Sequence, residues 1–211
     1  MRLFASILLL FSLLLTSCNP LLFEEKFADK SLSRWTVVDD PDTVEIPSEW
    51  RVEAAGWLHQ RSNIWGKRGD FLNRWYGTYL IAGSATWSNY RFSVTTVAED
   101  NDGFGVIFRV RDSEHFYRLI FLNDSFGGGP LTRLDKRNGA DYTEIWSAKR
   151  GYQTGAEMVI EVEAIDDTFR ASVNGKELFQ VQDSDYKRGK IGLFCYAQSH
   201  QKFANVKVDR R

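Results

Sequence analysis

Short runs of alternating apolar and polar residues, each closed by turn-forming residues, recur along this chain of 211 residues, and no stretch carries a capped helical period. In Val159-Ile160-Glu161-Val162-Glu163-Ala164 the carboxylates fall on one side and the aliphatic groups on the other. That period of two marks a half-buried strand. Val173-Asn174-Gly175-Lys176 is the strongest hairpin signal, because Asn and Gly tolerate the positive φ of a type I′ turn. Asp102-Gly103, Asn138-Gly139 and Asp166-Asp167 punctuate the chain in the same way. The pattern predicts strands over 35–38, 50–53, 57–60, 78–82, 90–97, 104–110 and 115–122. Further strands are expected over 131–135, 143–146, 158–165, 169–173, 178–181, 190–196 and 203–208. Many short strands at roughly 8- to 12-residue spacing imply an all-β, antiparallel sandwich. The length favours a jelly roll over an immunoglobulin-type sandwich, which needs only about 100 residues.

The start of the chain speaks to location. One charge at Arg2 precedes an apolar run from Leu3 to Leu15, shorter than the roughly 20 residues that span a bilayer. Charged start, short apolar centre and small residues at the end are the parts of a secretory signal. The run closes on Leu15-Thr16-Ser17-Cys18, which resembles the bacterial lipobox, where a small residue precedes a cysteine that is lipidated and becomes the new N-terminus. Only a thiol offers the soft nucleophile that accepts a diacylglyceryl group as a thioether, and two or more acyl chains hold a protein at a membrane stably. An ordinary signal with a cysteine near its cut site is the alternative. The expected organisation is therefore a lipoprotein signal over 1–17, a lipidated N-terminus and tether over 18–30, and the sandwich over 31–211. Asn19 after the cysteine, in place of Asp, leans toward the outer membrane or cell surface by analogy with Gram-negative sorting.

Aromatics make up 14% of the chain and prolines number four, which supplies a large core and speaks against disorder. The formal charge of −1, with both signs interspersed, lacks the basic excess of a nucleic-acid partner. With Cys18 committed to lipid, Cys195 has no disulfide partner, so core packing must hold the fold.

Three stretches look like the C-terminal domain of the thrombospondins: Glu99-Asp100-Asn101-Asp102-Gly103-Phe104-Gly105-Val106-Ile107-Phe108, Arg111-Asp112-Ser113-Glu114-His115-Phe116-Tyr117, and Arg188-Gly189-Lys190-Ile191-Gly192-Leu193-Phe194-Cys195-Tyr196-Ala197-Gln198 followed by Phe203-Ala204-Asn205-Val206. A weaker fourth is Ser48-Glu49-Trp50-Arg51-Val52 ahead of Gln60-Arg61-Ser62-Asn63. The resemblance implies a concanavalin A-like, lectin-like jelly roll, calcium as cofactor and a cell-surface role. The acidic repeats that precede the domain in thrombospondins are missing here, so animal matrix partners are not carried over.

Several constellations are weighed for chemistry. Glu99, Asp100, Asn101 and Asp102 crowd four oxygen-bearing side chains between two strands, and calcium takes six to eight oxygens; a solvated polar turn is the plain alternative. The loop Ile64 to Tyr76 sets Trp65, Trp75 and Tyr76 among cations and glycines, the mix of apolar platform and directed polar groups that suits a sugar. Rings packing over the sandwich edge is the alternative there. A tight turn at Asp112-Ser113 would put Arg109, Phe116 and Arg118 on one sheet face, with Phe108, Tyr117 and Leu119 toward the core; a one-residue bulge would scramble that assignment. Glu161-Val162-Glu163-Ala164-Ile165-Asp166 departs at two acidic positions from the Glu-x-Asp-x-x-Glu strand of jelly-roll glucanases, whose carboxyls stand about 5–5.5 Å apart for retaining hydrolysis. His59, His115 and His200 are isolated, without a His or Cys at ligand spacing, and Cys195 sits in an apolar run that suggests an inert thiol. The reading is a non-catalytic, lipid-anchored domain that binds glycan or a cell-surface protein. A glycan hydrolase using Glu161 or Glu163, and a structural envelope component without ligand, are the alternatives.

Overall fold

The computed structural model describes residues 20–41, 43–53, 56–66, 74–125 and 127–211. In chain order the strands are β1 (Leu21–Glu25), β2 (Thr36–Asp39), β3 (Trp50–Val52), β4 (Leu58–Gln60), β5 (Thr78–Ala82), β6 (Tyr90–Ala98), β7 (Gly103–Asp112) and β8 (His115–Leu122). They continue with β9 (Leu131–Asn138), β10 (Asp141–Ala148), β11 (Glu157–Ile165), β12 (Thr168–Val173), β13 (Lys176–Gln182), β14 (Lys190–Tyr196) and β15 (Gln201–Arg210). They form two antiparallel sheets. One runs β13-β12-β11-β6-β15-β4-β3 with β1 paired to β15, and the other runs β10-β9-β8-β7-β14-β5-β2. Neighbours such as β6 beside β15 and β7 beside β14 are far apart in sequence, as jelly-roll connections require.

Turn chemistry sets the hairpins. Val173 pairs with Lys176 across a two-residue loop, and Asn174 and Gly175 both carry positive φ, 51° and 74°, as a type I′ turn demands. Asp166 occupies the corresponding left-handed position, φ 48°, between β11 and β12. On β11 the alternation holds: Met158, Ile160, Val162 and Ala164 are buried while the carboxylates lie on the other face.

The space between the sheets is filled by Phe92, Val94, Ile160, Val162, Phe203, Val206 and Val208 from one sheet and by Phe104, Val106, Phe108, Tyr117, Leu119, Ile191 and Leu193 from the other. Aromatic contacts cross it, as where Phe169 meets Phe108 and Tyr117 at ring-centroid distances of 5.1 and 4.6 Å. A second apolar layer lies on the outer face of the seven-stranded sheet: Tyr79, Ile81, Ile107, Phe116, Ile120, Phe194 and Tyr196, with Trp75 over them. That sheet is therefore buried on both sides. The eight-stranded sheet is buried on one.

The expected tether is shorter than 18–30. Leu21–Glu25 is β1, paired with β15 from Leu21↔Asp209 to Glu25↔Val206, so Asn19 and Pro20 alone separate Cys18 from the first strand. Cys18 itself lies outside the described residues. Among the described residues no helix is long and apolar enough to cross a membrane.

Candidate functional site

Register assembles the outer layer of the seven-stranded sheet. On β9, Arg133, Asp135 and Arg137 stand at alternate positions and so share a face. On β8 their partners are Ile120, Arg118 and Phe116 respectively, while Tyr142 of β10 lies opposite Arg137 and Ile107 of β7 opposite Arg118. Three guanidiniums thus stand in neighbouring strand positions, and all three residues are at most 3% exposed.

Two buried carboxylates compensate them in part. Arg118 Nη2 donates to Asp135 Oδ2 at 2.9 Å, and Arg133 Nε lies 2.6 Å from Asp135 Oδ1. Arg137 Nη1 donates to Asp40 Oδ1 at 2.6 Å, and the other Asp40 oxygen accepts from the Gly77 amide. Rings complete the packing. The Arg118 guanidinium lies 3.9 Å from the Tyr142 centroid and 4.7 Å from that of Phe194, and Arg133 lies 4.1 Å from the Trp75 ring, within the range of cation–π attraction. Burial pulls the Arg133 pKa down and pushes that of Asp40 up, although Arg137 beside Asp40 opposes the shift. Burial likewise raises the Tyr142 phenol. Arg133 also lies 3.8 Å from the Glu144 carboxylate, so three carboxylates face the three guanidiniums, while among the described residues the Tyr142 hydroxyl and Arg118 Nε find no hydrogen-bond partner. Buried polar atoms without partners are rare in native proteins and call for a reason.

A cover of loop residues closes this layer. Thr43 bridges to Gly66, and Val44 donates to the Trp65 carbonyl at 2.9 Å. The Trp75 carbonyl accepts from Arg118 at 3.1 Å, and its indole Nε1 donates to the Gly127 carbonyl at 2.9 Å. The Tyr76 hydroxyl donates to the Ala140 carbonyl at 2.9 Å. Trp65 and Tyr142 are only partly buried where they pack against the layer.

Four of the six side chains expected to bind a ligand are thus brought together: Trp75, Tyr76, Phe116 and Arg118. Trp65 borders them. Their expected exposure is corrected, since Trp75, Phe116 and Arg118 are 1% exposed or less beneath the cover. Arg109 is corrected as well. The β7–β8 pairing slips between Phe108 and Asp112, and against β14, where Val110 pairs with Lys190 and Phe108 with Ile191, Arg109 is the extra residue of a bulge, with a left-handed φ of 52°. Its amide donates to the Tyr90 hydroxyl at 2.9 Å, and its guanidinium donates to the carbonyls of Lys187 and Asp166. It braces one end of the sandwich, away from Arg118. The residues that sequence reasoning missed are Asp40, Tyr79, Arg133, Asp135, Arg137 and Tyr142. The alternation Arg133, Asp135, Arg137 was the readable signal, and it extends past position 135.

The acidic turn is placed at the opposite end. Glu99 pairs with Lys202 at 2.8 Å, and Asp100 Oδ2 accepts from the Ser199 hydroxyl at 2.8 Å. The Tyr152 hydroxyl meets the carbonyls of Asp100 and Asp102 at 2.9 and 2.7 Å, and the Asn101 carbonyl accepts from the Asp124 amide at 2.7 Å. Burial, then Asp100 and Asp124, push the Asp102 carboxyl up to about 7. Among the described residues no three His, Cys, Asp or Glu side chains gather as a metal group. With Glu99 drawn to Lys202 and the carbonyls engaged, the turn as it stands does not fit a calcium cage of six to eight oxygens.

Glu161 and Glu163 lie on the outer face of the eight-stranded sheet. Arg91 reaches Glu161 at 3.3 Å and Glu163 at 3.2 Å, and Arg211 reaches Glu163 at 3.2 Å. Asp166 is in the turn, where its amide donates to Asn89 Oδ1 at 3.0 Å. Cys195 is buried, and burial raises its thiol well above the ordinary value.

No protein-family model matches the chain, and no curated protein matches it. Solved structures share its fold. The carbohydrate-binding module CBM66 from Bacillus subtilis is similar at a TM-score of 0.64 and 17% identity, over 86% of this chain and 97% of that one. A B. subtilis protein of unknown function with a galectin-like fold is similar at 0.64 and 10% identity, over 90% and 96%. The GH43 protein BlXynB (mutant K247S) from Bacillus licheniformis is similar at 0.63 and 11% identity, over 89% of this chain but 39% of that one. The chain is an antiparallel, lectin-like β-sandwich of the concanavalin A-like class. At these identities the likeness is one of fold.

Proposed function

We propose that this is a non-catalytic glycan-binding domain whose ligand face is the outer face of the seven-stranded sheet. The observation that carries the reading is the layer of Arg118, Arg133 and Arg137 with Asp40, Asp135, Trp75 and Tyr142. A sheet face that merely needed covering would be apolar, because each buried charge costs several kcal/mol in desolvation even when paired. The layer fixes the part-exposed rings of Trp65 and Tyr142 at its rim, and these are the surfaces on which a sugar ring would stack. Similarity to a carbohydrate-binding module over nearly all of that module's length supports the same reading. The carboxylates of a hydrolase need a free pair, whereas Glu161 and Glu163 are neutralised by arginines on the other sheet, which favours binding without turnover.

The test is a glycan array with the wild type and Trp65→Ala. Retention on a glycan without reducing-end release, weakened tenfold or more in the variant at an unchanged melting midpoint, is the expected result. Reducing-end release lost in Glu161→Gln or Glu163→Gln would favour the hydrolase, and retention on no glycan the structural role. The domain is read as exported and held by lipid on Cys18, toward the outer membrane or cell surface, on the strength of Leu15-Thr16-Ser17-Cys18 and Asn19. Loss of metabolic fatty-acid label in Cys18→Ser is expected, and unchanged label would remove the lipoprotein reading.

A further inference from the structure

At the end of the sandwich where β1 begins lies a groove of about 450 Å³ lined by Ala85, Arg111, Asp185, Lys187 and Arg188. Continuous hydrogen bonding ties this groove to the start of the domain. The Pro20 carbonyl accepts from the Arg210 amide at 3.0 Å, and the Asn89 carbonyl accepts from the Arg211 amide at 2.9 Å. Asn89 Oδ1 then holds the Asp166 amide, and Arg109 bonds the carbonyls of both Asp166 and Lys187. Gly189, next to Arg188, donates to the Trp87 carbonyl at 3.0 Å and lies so close to the Arg109 backbone that a Cβ would not fit. The groove is therefore held in place by the buried Arg109 and Gly189.

Its charges are unevenly matched. Asp185 pairs with Lys136 at 2.6 Å and Lys187 lies 3.7 Å from Asp167. Among the described residues Arg111 and Arg188 have no carboxylate partner, and Arg210, exposed at the same end, has none either; Arg111 instead lies 5.6 Å from the Tyr186 ring. Asp166, held by Asn89, and the hairpin residues Asp112 and Glu114 stand outside the groove, with Asp112 2.7 Å from the His115 ring nitrogen. The acidic turn of Glu99, Asp100 and Asp102 lies at the far end of β6, a nine-residue strand and so roughly 26–30 Å away.

We infer that this end of the domain docks on a membrane surface of anionic phospholipid headgroups, with Arg111 and Arg188 engaging the phosphates. The inference rests on the lipidated Cys18 proposed above. Two residues reach at most about 7 Å, so a lipid on Cys18 would leave the Pro20 end against the headgroups. Guanidiniums without a carboxylate partner, which suit phosphate oxygens, thus stand at the tethered end. Docking would set the direction in which the candidate glycan face points.

Residues 20–211 hold both sheets and every described core side chain, without Cys18, so vesicle binding by this piece tests docking apart from lipidation. Sedimentation with vesicles of phosphatidylcholine alone, and of an equal mixture with phosphatidylglycerol, is the measurement. Binding is expected only to the mixture and is expected to be lost at high salt. Arg111→Ser with Arg188→Ser should weaken it roughly 30-fold, from the usual gain per basic residue at an anionic surface. Lys replacements should restore it, and Lys176→Ser, in the hairpin at the acidic end, should change nothing. Equal binding to both vesicles, no binding to either, or a double Ser variant that binds like wild type would overturn the inference. So would binding of an acidic polysaccharide through these arginines without vesicle binding. Fatty-acid labelling of Cys18→Ser tests the lipid separately.

Discussion

The outer faces of the two sheets solve opposite problems. On the eight-stranded sheet, β11 turns Glu161 and Glu163 to the surface, where Arg91 meets both; charge there is hydrated, and its pairing is worth little. On the seven-stranded sheet, β8 and β9 turn Arg118, Arg133, Asp135 and Arg137 outward in the same alternating way, but loop residues close over them. The same residue types at the same period are surface decoration on one sheet and a dry ionic layer on the other. Strand periodicity sets which side of a sheet a residue faces. Whether that side meets water is set by another part of the chain.

The contrast can be broken most sharply at Asp135. Asp135→Ala leaves Arg118 and Arg133 without their shared carboxylate in a buried site, a change that costs about 3–5 kcal/mol in comparable cases. Urea denaturation should show this as a lowered midpoint. A loss below about 1 kcal/mol would mean that the layer is hydrated and the two faces are alike.

The acidic turn gives an intermediate case. The folded carboxyl of Asp102 titrates near 7 against an ordinary 3.8, so between these values the folded state holds more proton than the unfolded one. Stability therefore falls as pH rises through this window, and the deficit is complete above about 7. Because the group is partly exposed, the deficit is on the order of 1 kcal/mol. Asp102→Asn should raise the melting midpoint at pH 8 by about 2–4 °C and flatten its decline between pH 5 and 7. A midpoint that rises with millimolar calcium at pH 8, and no longer does so in this variant, would restore the cation reading of the turn.

The smallest effect is expected on the eight-stranded sheet. Glu161→Gln and Glu163→Gln should each change stability by less than about 0.5–1 kcal/mol in urea. A larger loss would mean that this face, too, depends on its charges.

Much of the fold was legible. The expected strands over 78–82, 115–122 and 190–196 match β5, β8 and β14 to the residue, because each is a β-rich run closed by turn residues. The Asn174-Gly175 hairpin is equally local. β1 was missed because Leu21-Leu22-Phe23-Glu24-Glu25 has no alternation strong enough to separate it from the segment before it. What makes it a strand is its pairing with β15, from the far end of the chain. Trp75, Tyr76, Phe116 and Arg118 do come together in one layer, while Arg109 was misplaced by a bulge that no residue in 108–112 announces.

Sequence alone determined what is local: the alternation that makes strands, the turn residues that end them, and the face on which Phe116 and Arg118 lie. Tertiary structure decided what depends on residues distant in the chain. It sent Arg109 to the Lys187 and Asp166 carbonyls, gave Arg137 the carboxylate of Asp40, and neutralised Glu163 with Arg91 and Arg211. It also laid Trp75 over Arg118 and Arg133, turning an expected open floor into a closed layer. The reason is physical: backbone geometry repeats over two residues, whereas desolvation and ion pairing depend on whichever part of the chain the topology brings within a few ångströms.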